Sequence, residues 1–127
     1  MASCEIIQFK DVEIVYTDVS HSTIEDCLKV IEANHAIIKK QPERSVLSLV
    51  NVDKTQFNTA LINKVRENVR RNNPYVIATA VIGLSAFKRI MLDTIVSLTG
   101  RNIIALESFE EARLWLHDQY HKVIISN

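Results

Sequence analysis

The stretch "NPYVIATAVIGLSAFKR", residues 73–89, decides the fold. Tyr75 to Ile82 is an apolar run of strand length without a single charge, the pattern of a strand buried on both faces. Gly83 releases the chain from it. Leu84, Phe87, Met91, Ile95 and Leu98 then recur at helical spacing, widened by Ile90 and Leu92, and Gly100 stands where a left-handed C-cap is wanted. A buried strand that turns straight into a helix is half of a βαβ crossover, which points to the α/β class.

The same residues imitate a phosphate-cradling turn. A dinucleotide-binding turn needs three glycines so that backbone can approach pyrophosphate, and Gly83 stands alone. A P-loop needs Gly-Lys-Ser or Gly-Lys-Thr, which is absent. What survives is a weaker anion-binding candidate, Ser85 with Lys88, beside the free amides of a helix start. The plainer reading of Ser85 is a helix cap.

Outward from this stretch the same alternation continues. "EIIQF" and "VEIVYT", parted by "KD", read as a hairpin of two strands. Ser22 with Glu25 forms a capping box for a helix carrying Ile24, Leu28, Ile31 and Ile38, which stops before Pro42. Val46 to Val52, "VLSLVNV", is a second buried strand. A helix with Phe57, Leu61, Val65 and Val69 follows, its start signalled by Asp53 with Thr55 or Gln56 and its end by Pro74. "NIIAL" is a further strand, and "SFEE" caps a last helix through Trp115 and Leu116 to about Tyr120. The tail "HKVIISN" reads as a short edge strand or a loose end.

The expected order is ββαβαβαβα in a single domain spanning 1–127. Such an order builds a mixed, mostly parallel sheet of four or five strands flanked by about four helices, with the first strand antiparallel at an edge.

Composition narrows the function classes. Fifteen basic residues balance fifteen acidic ones, so no global field steers the chain to nucleic acid or an anionic membrane. Lys64, Arg66, Arg70 and Arg71 crowd the end of a predicted helix, where cations suit its dipole. No apolar segment is long enough to cross a bilayer and no leader pattern is present, so a cytoplasmic protein is expected. Cys4 and Cys27 lack pairing or metal-ligand spacing and read as reduced thiols, with Cys27 a small core residue.

No catalytic template fits, and the chain reads as a non-enzyme without cofactor. His117 and His121 have the i, i+4 spacing that chelates on one helix face, but no third ligand lies close in sequence, so no metal is expected; Asp118 and Glu110 do not complete an HExxH arrangement. His21 adds only to the count of four histidines, and His35, within the first helix, reads as a boundary residue. There is no G-x-S-x-G elbow. Asp93 marks the solvent side of its helix, and Trp115, between Leu114 and Leu116, is core rather than a base-stacking platform.

The element order, together with "VIGLSAFKRIMLDTIVSLTGRNIIALESFEEARLWL" and the placement of "EEARLWL" after the last strand, resembles the small bacterial SpoIIAA-like proteins, relatives of the STAS domain also described as STAS/SEC14-like. The resemblance is strongest from Tyr75 to Leu116. It implies a non-enzymatic regulatory module that binds another protein or itself, as a homodimer, or in the alternative a carrier of a lipid-like small molecule. It also implies a phosphorylatable hydroxyl at the start of the helix after the central strand, in a pattern like D-S-S-G. Here Asn58, Thr59 and Ala60 lie nearest to that pattern, which lacks the Asp and Ser, and Thr59 is the phospho-acceptor or switch candidate.

Overall fold

The structure, a computed structural model, describes residues 2–126, with the backbone alone at 87, 98 and 126. The side chains of Phe87 and Leu98, set on the helical stripe by their spacing, therefore lie outside the described residues. The elements are β1 (Ser3–Phe9), β2 (Val12–Asp18), α1 (Ile24–Ile38), β3 (Val46–Asn51), α2 (Thr59–Arg71), β4 (Val76–Ile82), α3 (Ala86–Thr99), β5 (Ile103–Leu106) and α4 (Phe109–Ser126). This is the order that the apolar runs and breakers dictate. The sheet runs β1-β2-β3-β4-β5, with β1 antiparallel at the edge and every other pairing parallel.

Sequential strand order has a consequence for the layers. Three right-handed crossovers taken in one direction place α1, α2 and α3 on the same face of the sheet and leave α4 alone on the other. Alternation along the strands then gives each face its own chemistry. Towards α4 point Val12, Ile14, Leu47, Leu49, Ala78 and Ala80, closing over Ala112 and Leu116, both without exposed surface. The alanines of β4 let that helix lie close. Towards α1–α3 point Val15, Thr17, Ser48, Val50, Thr79 and Val81, which are shorter and partly polar. Val46 to Leu49 and Ala78 to Ile82 are all buried, so both apolar runs are double-faced strands.

The starts of α1 and α2 differ from the expected ones. The cap of α1 is Thr23, whose hydroxyl accepts from the Asp26 amide at 3.2 Å, one residue after the predicted Ser22. Ser22 is buried and donates its hydroxyl to the Ser20 carbonyl. The cap of α2 is Asn58, accepting from the Leu61 amide at 2.8 Å, not Asp53, Thr55 or Gln56. The latter two are used across the loop, Thr55 donating to the Val19 carbonyl and Gln56 accepting from the Ile24 amide. The caps of α3 and α4 are the predicted Ser85 and Ser108. Gly100 closes α3 in the left-handed region. The tail is neither strand nor loose: α4 runs on to Ser126, because a helix already under way keeps its hydrogen bonds despite the β-branched Val123, Ile124 and Ile125.

The buried stripe of α1 is also rotated from the expected one. Cys27, Val30, Asn34 and Ile38 face inward, while Leu28 is exposed. A buried asparagine on the inner face is what disguises the stripe. Asn34 donates to the Thr17 hydroxyl on β2 at 2.9 Å and accepts from Asn68 and Asn72 of the α2 end at 3.0 and 3.1 Å. Asn72 in turn meets His35 Nδ1 at 2.7 Å, and Arg71 reaches both Asn68 and Glu32. This seam fixes α2 against α1 and β2. Asn34→Ala leaves the buried Asn72 amide without its acceptor and takes a partner from Thr17 and Asn68, and the expected cost is about 2 kcal/mol, measured by urea denaturation.

Candidate functional site

The polar, short-chained face of the sheet does not fill the space beneath α1–α3. A cavity of about 220 Å³ lies there, with walls that are overwhelmingly apolar. Two features of the sequence open it. Ser48 and Thr79 stand side by side on β3 and β4, and Thr17 of β2 lies two residues further along beside Val50, where Leu or Ile would have filled the gap. α3, for its part, sinks only Ile95 fully among its described side chains; Met91 and Leu92 are half-buried over the cavity and Ile90 faces solvent. Cys27 borders the same space as a small apolar residue, its thiol pushed up by burial.

Two cations border this apolar space, one at each end of α3. Lys88, in the first turn, donates to the Thr55 carbonyl at 2.8 Å and the Val52 carbonyl at 3.3 Å, and sits 5.4 Å from the centre of the Phe57 ring. Burial lowers its affinity for the proton. Ser85 accepts from the Lys88 amide at 3.3 Å as the helix cap. The two candidate anion ligands thus share a cap, while the ammonium turns to the loop carbonyls.

Arg101, just past Gly100, was not singled out by its sequence setting. Its guanidinium donates to the Val69 carbonyl at 2.7 Å, to Asn73 Oδ1 at 3.0 Å and to the Thr79 hydroxyl at 3.4 Å. Among the described residues it meets no carboxylate. Burial alone pushes its pKa down to about 10. It stays charged at neutral pH, with neutral acceptors around it and spare N–H donors. One signal was legible: from Thr94 to Leu106 the sequence holds this single arginine and no acidic residue.

The other candidates fall elsewhere. Thr59 is the first residue of α2 and is exposed. Among the described residues no histidine hydrogen-bonds a Ser, Thr or Cys. His21 lies 3.7 Å from Asp53, and His35 meets Asn72. His117 and His121 converge on Asp11, in the β1–β2 turn, at 2.6 and 2.9 Å. Trp115 packs on the α4-side core, and Asp93 is exposed. No helix among the described residues is long and apolar enough to cross a membrane.

No protein-family model matches the chain, and no curated protein does. Among solved structures it is similar to an uncharacterized protein of the DUF3478 family with a SpoIIAA-like fold from Shewanella loihica PV-4, with a TM-score of 0.72 over 91% of this chain and 93% of that one. The two share 13% of their residues, so the likeness is one of fold. The sheet, its five-strand order and the four helices are those of a SpoIIAA-like protein.

Proposed function

We propose that the chain is a non-enzymatic binding module that holds a small apolar molecule with an anionic head in the cavity between the sheet and α1–α3. The observation that carries this reading is Arg101, a charged guanidinium bordering an apolar cavity with no carboxylate partner among the described residues. A buried cation without a counter-charge is costly, and a carboxylate or phosphate head supplied by a ligand offsets that cost. An engineered apolar cavity of about 150 Å³ takes a benzene. The present volume, about 220 Å³, suits an acid with a short alkyl chain. α3 is the wall that yields to the ligand in this scheme, since Ile95 alone among its described side chains is fully buried. The lipid-carrier alternative implied by the SEC14-like resemblance is thereby preferred to a purely regulatory role.

The test uses the untagged chain and two probes of equal length, octanoate and octanol. Octanoate is expected to raise the thermal midpoint in a saturable manner and octanol to do so less, while native mass spectrometry of gently purified protein shows a small bound acid. Absence of any co-purifying molecule together with no shift from either probe rejects the reading.

A second reading rests on Thr59, exposed at the start of α2, where a phosphate would meet free amides and the positive end of the helix. It makes the chain a cytoplasmic partner of another protein, or of a second copy of itself, switched by modification. Co-purification of a protein in place of a small acid favours it.

A further inference from the structure

We propose that Asp11, His117 and His121 form a binding site for a divalent transition-metal ion of the zinc type, at the opposite face of the sheet from the cavity. The three residues come from the two ends of the chain. His117 and His121 are one turn apart on α4, with ring centroids 4.4 Å apart. Asp11 belongs to the two-residue β1–β2 turn, which Lys10 makes by taking a φ of 51°. That turn lies against α4 because β1–β2 is the edge hairpin, and Phe9 and Val12 on either side of it pack on the α4-side core.

The donor atoms already converge. His117 Nε2 lies 2.6 Å from Asp11 Oδ1, His121 Nε2 lies 2.9 Å from Oδ2, and all three ligand atoms fall within 4.8 Å of one another. The second contact is at ion-pair distance but makes no aligned hydrogen bond, so His121 Nε2 is enclosed without a hydrogen-bond partner. Neutral imidazoles would turn their Nε2 lone pairs to a metal placed between them and the carboxylate. The rings are held in place by edge-on neighbours, Phe9 against His117 and Tyr120 against His121.

Bond lengths of about 2.0–2.2 Å around zinc set neighbouring donor atoms a little over 3 Å apart. The observed contacts need to open by about half an ångström, and Asp11, exposed on a turn, is free to rotate by that much. Two imidazoles and one carboxylate suit zinc, cobalt, nickel or copper, whereas calcium and magnesium prefer all-oxygen shells. Asp11 faces solvent, so water completes the shell. No described residue takes a hydrogen bond from either Nδ1, and a site without that support binds in the micromolar range rather than more tightly. The bound ion would tie the hairpin to the last helix across 106 residues of sequence.

The experiment is calorimetric titration of zinc chloride into the untagged full-length chain, with cobalt(II) absorption as a second readout of a nitrogen-containing shell. One ion per chain is expected, with a rise in thermal midpoint. Asp11→Asn, His117→Ala and His121→Ala are each expected to weaken binding by at least about tenfold. Circular dichroism checks that each variant folds, and Asp11→Asn keeps both size and turn. Replacing Cys4 and Cys27 by Ser is expected to leave the affinity unchanged. No binding at millimolar zinc, or binding that survives the histidine substitutions, overturns the proposal.

Discussion

Gly83→Ala is expected to destabilise the protein by about 3 kcal/mol, lowering the thermal midpoint by about 10 °C. Gly83 ends β4 with a φ of 83°, where an L side chain is strained. The larger part of the cost is contact. A Cβ at this position meets the Asp53 amide nitrogen at 2.6 Å and its Cα at 2.8 Å, both rigid backbone atoms. Asp53 cannot retreat cheaply, because its amide donates to Asn51 Oδ1 and its carbonyl accepts from the His21 amide. The same loop supplies the Val52 and Thr55 carbonyls that hold Lys88, so displacement also disturbs that end of the cavity. Gly100 is the control. It too has positive φ, at 67°, but an added Cβ meets nothing within 4 Å. Gly100→Ala should cost only about 1 kcal/mol, the left-handed penalty alone. Equal losses in urea denaturation of the two variants would refute the close-approach account.

The contrast between the two glycines shows which parts of the structure could be read from residue order. Gly83 and Gly100 announce themselves as breakers, and with the apolar runs Val46–Val52 and Tyr75–Ile82 they specify the alternation of strands and helices. That alternation, with right-handed crossovers, is sufficient for a parallel sheet with an antiparallel edge hairpin. The second role of Gly83, room for the Asp53 backbone, depends on two strands lying side by side and has no local mark. The caps of α3 and α4 fall on the predicted serines, whereas those of α1 and α2 lie one to several residues past the predicted ones, because Ser22, Thr23, Asp53, Thr55 and Asn58 are all competent acceptors and only the packing angle of the helix selects among them.

The functional constellations depend still more on distance in sequence. His117 and His121 show the spacing of a chelating pair, but their partner Asp11 lies at the far end of the chain, and only the hairpin's position against α4 unites them. Asn34 interrupts the apolar inner stripe of α1 and is the hub of the seam between α1, α2 and β2, with partners 17, 34 and 38 residues away in sequence. Ser85 and Lys88 follow a glycine, and so does Arg101, the more deeply desolvated of the two cations that border the cavity.

Arg101→Met is the substitution expected to separate binding from stability most sharply. Octanoate binding should fall at least about tenfold, as expected when a charge-assisted hydrogen bond to a carboxylate is lost. Stability should change little, because two effects oppose each other. The depression of the Arg101 pKa from the ordinary guanidinium range to about 10 means that the fold disfavours the charge, at a cost on the order of 2 kcal/mol once partial solvent access is allowed for. Methionine removes that cost but leaves the Val69 carbonyl without its donor, a loss of about 1–2 kcal/mol. The sign of the pH dependence follows from the same shift. Below about 10 the guanidinium is charged in both folded and unfolded chains, so its penalty is constant; as the pH rises through that value the folded chain sheds the proton first and gains stability relative to the variant. The octanoate-induced stabilisation should behave in the opposite way, level near neutrality and fading above about 10 as the cation that holds the head group is lost. Isothermal titration of wild type and Arg101→Met at neutral pH, with urea denaturation of both, distinguishes the cases. A variant that binds octanoate as well as wild type would move the anionic head away from Arg101 and leave Lys88, at the other end of α3, as the cation that receives it.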